Sequence, residues 1–225
     1  MLCRQVTCLS RNRKPLKICT RLLSSKEKAA QKRELLDRFL RVDHAGEFGA
    51  DRIYAGQLAV LGPKGPGPLP FIPSSGRVVS AEETGKLIQH MWDQEKEHLA
   101  AFNRLLPQHR VRPTALLPFW NVAGFALGAG TALLGREAAM ACTVAVEETI
   151  TDHYNDQIMK LLAIKDELTE EERDILQVIT KCRDEEEEHR DIGYEEEAEK
   201  AIAYPVLSGA IKIGCKAAIW ISERV

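Results

Sequence analysis

Glu-x-x-His occurs twice in the chain, each time inside the same longer word: Asp93-Gln94-Glu95-Lys96-Glu97-His98 and Asp184-Glu185-Glu186-Glu187-Glu188-His189. A shift of 91 residues superimposes the Asp, two Glu and the His of the two copies. A second echo lies upstream of each word: Glu47, Tyr54 and Gln57 fall on Glu147, Tyr154 and Gln157 at a shift of 100. Residues three apart share a helix face. Glu95 can therefore chelate one ion with His98, and Glu186 a second with His189, while Glu47 and Glu147 bridge or close the pair. Four carboxylates and two imidazoles on four helices are the donor set of a carboxylate-bridged di-iron or di-manganese bundle. Oxygen and nitrogen donors suit iron or manganese, where thiolates would suit copper, zinc or a cluster. Six protein donors leave positions open on two ions, as oxygen activation requires.

The repeat also chooses between neighbours. Glu147 matches Glu47, so Glu147 and not Glu148 faces the metal. By the same register Glu186, rather than Glu185 or Glu187, partners His189. An acidic run such as 184–188 is ordinarily a solvated helix face; the repeated word and the two matching upstream glutamates set this one apart.

These ligands need four helices to carry them. Apolar periodicity predicts helices over about 26–60, 81–106, 136–163 and 169–199, with Thr169 and Glu172 spaced as a capping box. The Pro/Gly-rich stretch 62–76 cannot be helical. It belongs to a linker, 62–85, that carries no candidate ligand and reads as an insertion the site should tolerate losing. Gly46 and Gly49 flank Glu47 and would let a neighbouring helix or a ligand approach closely. His153 and Tyr154 lie nearly two turns beyond Glu147, on or beside its face. They are candidates for substrate contact or for proton and electron relay, with core packing the alternative for Tyr154.

Two further segments are apolar. Residues 113–135 hold no charged side chain over 23 positions, and 202–221 are interrupted only by Lys212 and Lys216. The first is long enough to span a bilayer, but a single crossing would place the two halves of the metal site on opposite sides. A kinked or hairpin-like helix dipping into one leaflet, or one buried against the bundle, fits better. Together the two segments could lie on a membrane surface. The expected architecture is all-α, a four-helix bundle with two additional apolar, membrane-associated helical segments.

Charge is unevenly spread along the 225 residues, whose net charge is −2. Residues 1–26 hold seven basic side chains and no acidic one, which reads as a mitochondrial transit peptide preceding a domain over 27–225. The acidic remainder excludes nucleic acid as a partner. Cys3, Cys8, Cys19, Cys142, Cys182 and Cys215 form no Cys-x-x-Cys pair, which fits a reducing compartment and not a disulfide scaffold.

Four stretches, Arg-Val-Asp-His-Ala-Gly-Glu (41–47), Met-Trp-Asp-Gln-Glu-Lys-Glu-His (91–98), Asn-Val-Ala-Gly-Phe-Ala-Leu-Gly-Ala-Gly (121–130) and Val-Ala-Val-Glu-Glu (144–148), resemble the demethoxyubiquinone hydroxylases over about 38–225. The resemblance implies a ferritin-like fold and two irons per chain on Glu47, Glu95, His98, Glu147, Glu186 and His189. It implies hydroxylation of a prenylated demethoxybenzoquinol with O2 as co-substrate and NADH as electron donor. It also implies peripheral attachment to the matrix side of the mitochondrial inner membrane, with a lipid-binding partner and other subunits of the ubiquinone-synthesis complex nearby. By the same resemblance Arg38 and Arg224 become candidates for binding the pyridine nucleotide; the sequence has no dinucleotide-binding glycine motif, so such a site is not a Rossmann site. A homo-oligomer is compatible with all of this. Two departures stand out: the long linker, and Trp220 where the family leads one to expect tyrosine. Ferritin-type iron oxidation, or a non-catalytic membrane-docked subunit, are the competing functions.

Overall fold

The computed structural model describes residues 24–72 and 76–225. The transit-peptide reading falls on 1–26, of which 1–23 lie outside the described residues; Ser24 already caps the first helix. The described residues form six α-helices and no strand: α1 (Ser25–Leu61), α2 (Ala81–Gln108), α3 (Leu117–Leu133), α4 (Arg136–Ala163), α5 (Glu170–Glu195) and α6 (Tyr204–Ser222). Short 3₁₀ turns at Lys165–Glu167 and Ala198–Lys200 flank α5. The sequence reading carried the helix around α5 on to 199, but α5 stops at Glu195 because Glu197 takes a left-handed backbone.

Three helix starts are set by reciprocal capping boxes, Ser24 with Glu27, Ser80 with Glu83 and Thr169 with Glu172, each satisfying backbone donors the helix leaves orphaned. Because α2 begins at Ala81, residues 81–85 are helix and the connection is 62–80. Gly135 breaks α3 from α4 at φ 122°, a conformation open to glycine.

The repeat extends to three helices per half. Within each half an apolar helix follows the Glu-x-x-His helix and packs along the lone-Glu helix: α3 on α1, and α6 on α4. The α1–α3 contact is backbone against backbone. A Cβ on Gly128 would collide with the Ile53 carbonyl, and one on Gly56 with the Phe125 carbonyl. The segment 113–135 is therefore neither hairpin-like nor kinked into two: its core is one helix of 17 residues with Gly124 and Gly128 turned to α1. No helix among the described residues is long and apolar enough to cross a membrane.

Two apolar clusters bracket the middle of the bundle. One holds Leu36, Leu40, Phe102, Ile175 and Ile179, the other Leu61, Ile88, Met91 and Met140. The buried carboxylates lie on the helix stretches between them.

The 62–80 connection is anchored, contrary to the loose linker its composition suggests. Leu69 N–H donates to the Leu133 carbonyl at 2.9 Å and Gly76 N–H to Glu137 at 2.8 Å. Arg77 donates from its backbone to Glu197 and from its guanidinium to both oxygens of Glu196. Pro and Gly exclude helix, but they do not exclude a docked strap.

Candidate metal centre

All six sequence-predicted donors converge. Glu47 on α1, Glu95 and His98 on α2, Glu147 on α4, and Glu186 and His189 on α5 are each at most 1% exposed. They form two overlapping groups: Glu47, Glu95, His98 and Glu186 in one, and Glu95, Glu147, Glu186 and His189 in the other. Glu95 and Glu186 belong to both. The helix-pair chelates expected from the spacing are thus corrected in one respect. Each Glu of a Glu-x-x-His word is shared between the two positions, and Glu47 and Glu147 close the outer ends. Geometry gives the reason, since Glu95 approaches Nδ1 of His189 at 3.0 Å and that of its own His98 only at 3.8 Å.

Whether a cation fits can be tested on the donor atoms. Both oxygens of Glu95 and Glu186, one oxygen each of Glu47 and Glu147, and Nδ1 of both histidines are buried without a hydrogen-bond partner. Buried polar atoms are almost always paired, and unpaired buried charge is costly. These eight atoms, whose only close neighbours are one another, the imidazole nitrogens lying 3.0–3.3 Å from carboxylate oxygens, gather in one space and suit a pair of divalent ions.

Protons respond to the same crowding. Burial raises Glu47 to about 8, and Glu186 and Glu95 beside it push the same way. Burial and the same neighbours raise Glu147 well above the carboxylate range. Glu186 is held down to about 2: burial works against this, but the two imidazoles beside it outweigh burial. Burial opposes a charged His189, yet Glu186 and Glu95 raise it to about 11, and the surrounding carboxylates raise His98 in the same way. A cation entering the cluster would displace these protons.

The outer partners cross between the halves. Tyr54 donates to Glu147 at 2.8 Å, and Tyr154 donates to Glu47. Nε2 of His98 meets Glu185 at 2.6 Å, and Nε2 of His189 meets Gln94 at 3.0 Å. Gln57 donates to Thr143 and Gln157 to Asp43. Every one of these pairs maps onto the next under the repeat shifts of 91 and 100. Gln94 and Glu185, which reasoning from the ligands alone passed over, meet the ring nitrogens turned away from the cluster. Their signal was present, since each immediately precedes the Glu of its word. Fixing the second ring nitrogen fixes which nitrogen faces the metal. Glu148 points away, bonded to Tyr194 and Lys212.

Tyr154 is fully buried, packs in the apolar cluster and donates to Glu47. His153 is not among the converging donors. It sits with Gln157 at 2.8 Å and Asp43 at 3.6 Å, where the shifted positions carry Ile53 and Thr143. Burial raises the carboxyl of Asp43, only partly offset by His153. Arg38 and Arg224 lie outside the cluster. Nε of Arg38 is buried and unpartnered, while Arg224 stacks on the exposed Trp220 ring at 4.3 Å. Arg41 bonds the Glu223 carbonyl, which brings the end of α6 beside the Arg38 stretch of α1.

An apolar cavity of about 510 Å³ lies between α3 and α6, floored by α1 and α4. Gly46 and Val146, the residues preceding the two lone glutamates, both line it. Gly46 and Gly49 have open space where a Cβ would stand. The room expected around Glu47 is therefore cavity.

A sequence profile of the family described as ubiquinone biosynthesis protein COQ7 matches residues 34–222. The chain belongs to that family. It is 58% identical over 193 residues to the bovine protein named NADPH-dependent 3-demethoxyubiquinone 3-hydroxylase, mitochondrial, covering 86% of this chain and 79% of that one. It is 53% identical over 191 residues to a Rhodospirillum rubrum protein named 3-demethoxyubiquinol 3-hydroxylase, covering 85% and 79%. It is 42% identical over 198 residues to a Saccharomyces cerevisiae protein named 5-demethoxyubiquinone hydroxylase, mitochondrial, covering 84% and 78%. The names of the mammalian relatives specify NADPH, where the sequence resemblance alone suggests NADH. For this COQ7-family chain the matched span takes in all six donors and the cavity walls.

Proposed function

We propose that the chain hydroxylates the ring of a prenylated demethoxybenzoquinol in ubiquinone biosynthesis, consuming O2 and a reduced pyridine nucleotide. The observation that carries this is one buried set of six donors whose lone glutamates are flanked by the walls of an apolar cavity. Two irons would be held by Glu95 and Glu186 in common, with Glu47 and His98 on one and Glu147 and His189 on the other, and would supply the activation of O2. Tyr54 and Tyr154 hold the terminal carboxylates. Glu185 and Gln94 fix the imidazoles. Val42, Gly46, Gly49 and Val146 leave space for a flat ring while excluding water. His153, 3.6 Å from Asp43, is the candidate for proton relay to the ring. Arg38 and Arg224 would meet the nucleotide's phosphates.

We place the enzyme in the mitochondrion, seated on the matrix face of the inner membrane by α3 and α6, alongside a lipid-binding partner and other proteins of the pathway. Support comes from the mitochondrial relatives and from the apolar side chains that these helices turn outward. The test uses purified protein, ferrous iron, O2, NADH or NADPH, and a short-chain demethoxyquinone. Hydroxylated product is expected. Ferric mineral without product would mean iron oxidation, and neither would leave a non-catalytic subunit.

A further inference from the structure

The turn that carries the chain from α2 to α3 closes on an arginine where glycine is expected. Arg110 N–H donates to the Pro107 carbonyl at 3.1 Å, and Val111 N–H to the Leu106 carbonyl at 2.8 Å. That pair of bonds ends a helix by placing one residue in the left-handed region, a position usually taken by glycine. Here the residue is Arg110, at φ 55°. Val111, next along, is 7% exposed and packs with Leu106 in an apolar cluster. Held on either side of this anchor, Arg110 and Arg112 are both exposed. Among the described residues neither guanidinium meets a carboxylate.

The same corner gathers further cations. Arg41 donates to the Arg112 carbonyl at 3.2 Å and to the Glu223 carbonyl at 3.4 Å, tying the turn to the end of α6. Arg33 donates to the His109 carbonyl at 2.6 Å. The carboxylates tied into this corner, Asp37 and Glu223, are already bonded to Arg33 and Arg224. Val42 and Ser222, next to Arg41 and Glu223 in the chain, both line the apolar cavity. The corner is thus an edge of the α3–α6 face, with the exposed Trp220 ring stacked on Arg224. It stands out from a chain that is otherwise acidic, with 24 basic against 33 acidic side chains over 27–225.

We propose that this corner binds the headgroups of acidic phospholipids, with Arg110 and Arg112 as the contacting side chains. This rests on the membrane-seated reading of α3 and α6 above. Arginines beside an acidic leaflet are drawn to it, and tryptophan settles at the level of the headgroups. The acidic body is repelled by the same leaflet, so the basic corner also sets which edge of the apolar face arrives first. Glycine would close the turn with less strain than Arg110 does. A strained arginine fits a side chain held for contact.

The full chain is mixed with vesicles of phosphatidylcholine, alone or with phosphatidylglycerol, and binding is read by flotation. Wild type should prefer the acidic vesicles, and salt should weaken the preference. The seven basic side chains of 1–26 are common to every chain compared, so the variant carries the test. Arg110→Gly combined with Arg112→Gln should bind acidic vesicles roughly 30-fold more weakly, about fivefold for each arginine. It should bind neutral vesicles as wild type does, and its melting temperature should not fall, because glycine relieves the turn. In wild type the amides of 109–112 should exchange more slowly on acidic vesicles than on neutral ones. An unchanged acidic preference in the variant, or equal protection on both kinds of vesicle, overturns the proposal and leaves the membrane reading intact. A variant that melts lower with its preference unchanged would assign the arginines to the negative helix ends of α2 and α6 instead. Binding of wild type to neither kind of vesicle overturns both.

Discussion

Glu147 and Glu148 are adjacent in the chain and face opposite ways, and their difference can be measured. Glu147→Ala removes the closing carboxylate of one position. Bound iron should fall below two per chain, and turnover should fall by more than the about 10–100-fold typical of an outer partner. Glu148→Ala breaks bonds to Tyr194 and Lys212 that tie α4 to α5 and α6. It should cost about 1 kcal/mol of stability and leave iron unchanged, as metal analysis and denaturation would show. The pH dependence has a definite sign. Glu47 is raised to about 8 in the folded chain, above its ordinary 4.5, so between those values the folded state binds more protons than the unfolded one. Metal-free protein should therefore lose melting temperature as pH climbs through that window. His189, raised from 6.5 to about 11, extends the decline. Glu186, held at about 2, acts in the other sense but only below its ordinary 4.5. Iron-loaded protein should not show the fall, since the cation replaces the protons. A metal-free melting temperature that rose across neutral pH would contradict the assignment.

At the level of elements, the strap 62–80 is where composition and structure part. The six donors, the inward Glu147 and the capping box at Thr169 were legible because they depend on spacing within a helix. The strap's bonds reach 61 residues forward to Glu137 and 120 to Glu197, and no local pattern carries them. The glycines of α3 misled in the same way. They count against a simple membrane span, but that Gly124 and Gly128 are seats for α1 only the packed pair reveals. Which glutamates are shared was also hidden, because it depends on how two distant words face one another. Deleting 63–80 was expected from composition to be neutral. The anchors revise this: a net loss of about 1–3 kcal/mol is expected in urea denaturation, since the lost bonds outweigh the small gain in closure entropy. Iron should stay at two per chain, because none of the bonds made by the strap's described residues goes to a donor.

Taken whole, the molecule carries its two apolar helices on one side, flanking the cavity. Val206 and Ile213 on α6 are each 72% exposed, and Phe119 and Val122 on α3 are exposed as well. Val206→Asp should weaken association with phospholipid vesicles by about 10–100-fold, as expected from losing the about 1.5–3 kcal/mol of burying such a side chain. Being on the outside, it should leave the melting temperature alone. Vesicle binding that is indifferent to Val206→Asp would assign this face to a protein neighbour instead.

The crossing of hydrogen bonds between the halves has a further consequence. A contact in which Tyr54 holds Glu147 while Tyr154 holds Glu47, and Gln94 holds His189 while Glu185 holds His98, is self-complementary. That is the signature of an isologous interface between two identical subunits. Here the two-fold partner is attached through Gly135, so the chain behaves as a dimer that can never dilute itself apart. Tethering has also released each half from having to equal the other. Asp43 stands opposite Thr143, His153 opposite Ile53 and Cys182 opposite Met91. A true homodimer would have to carry each such change twice.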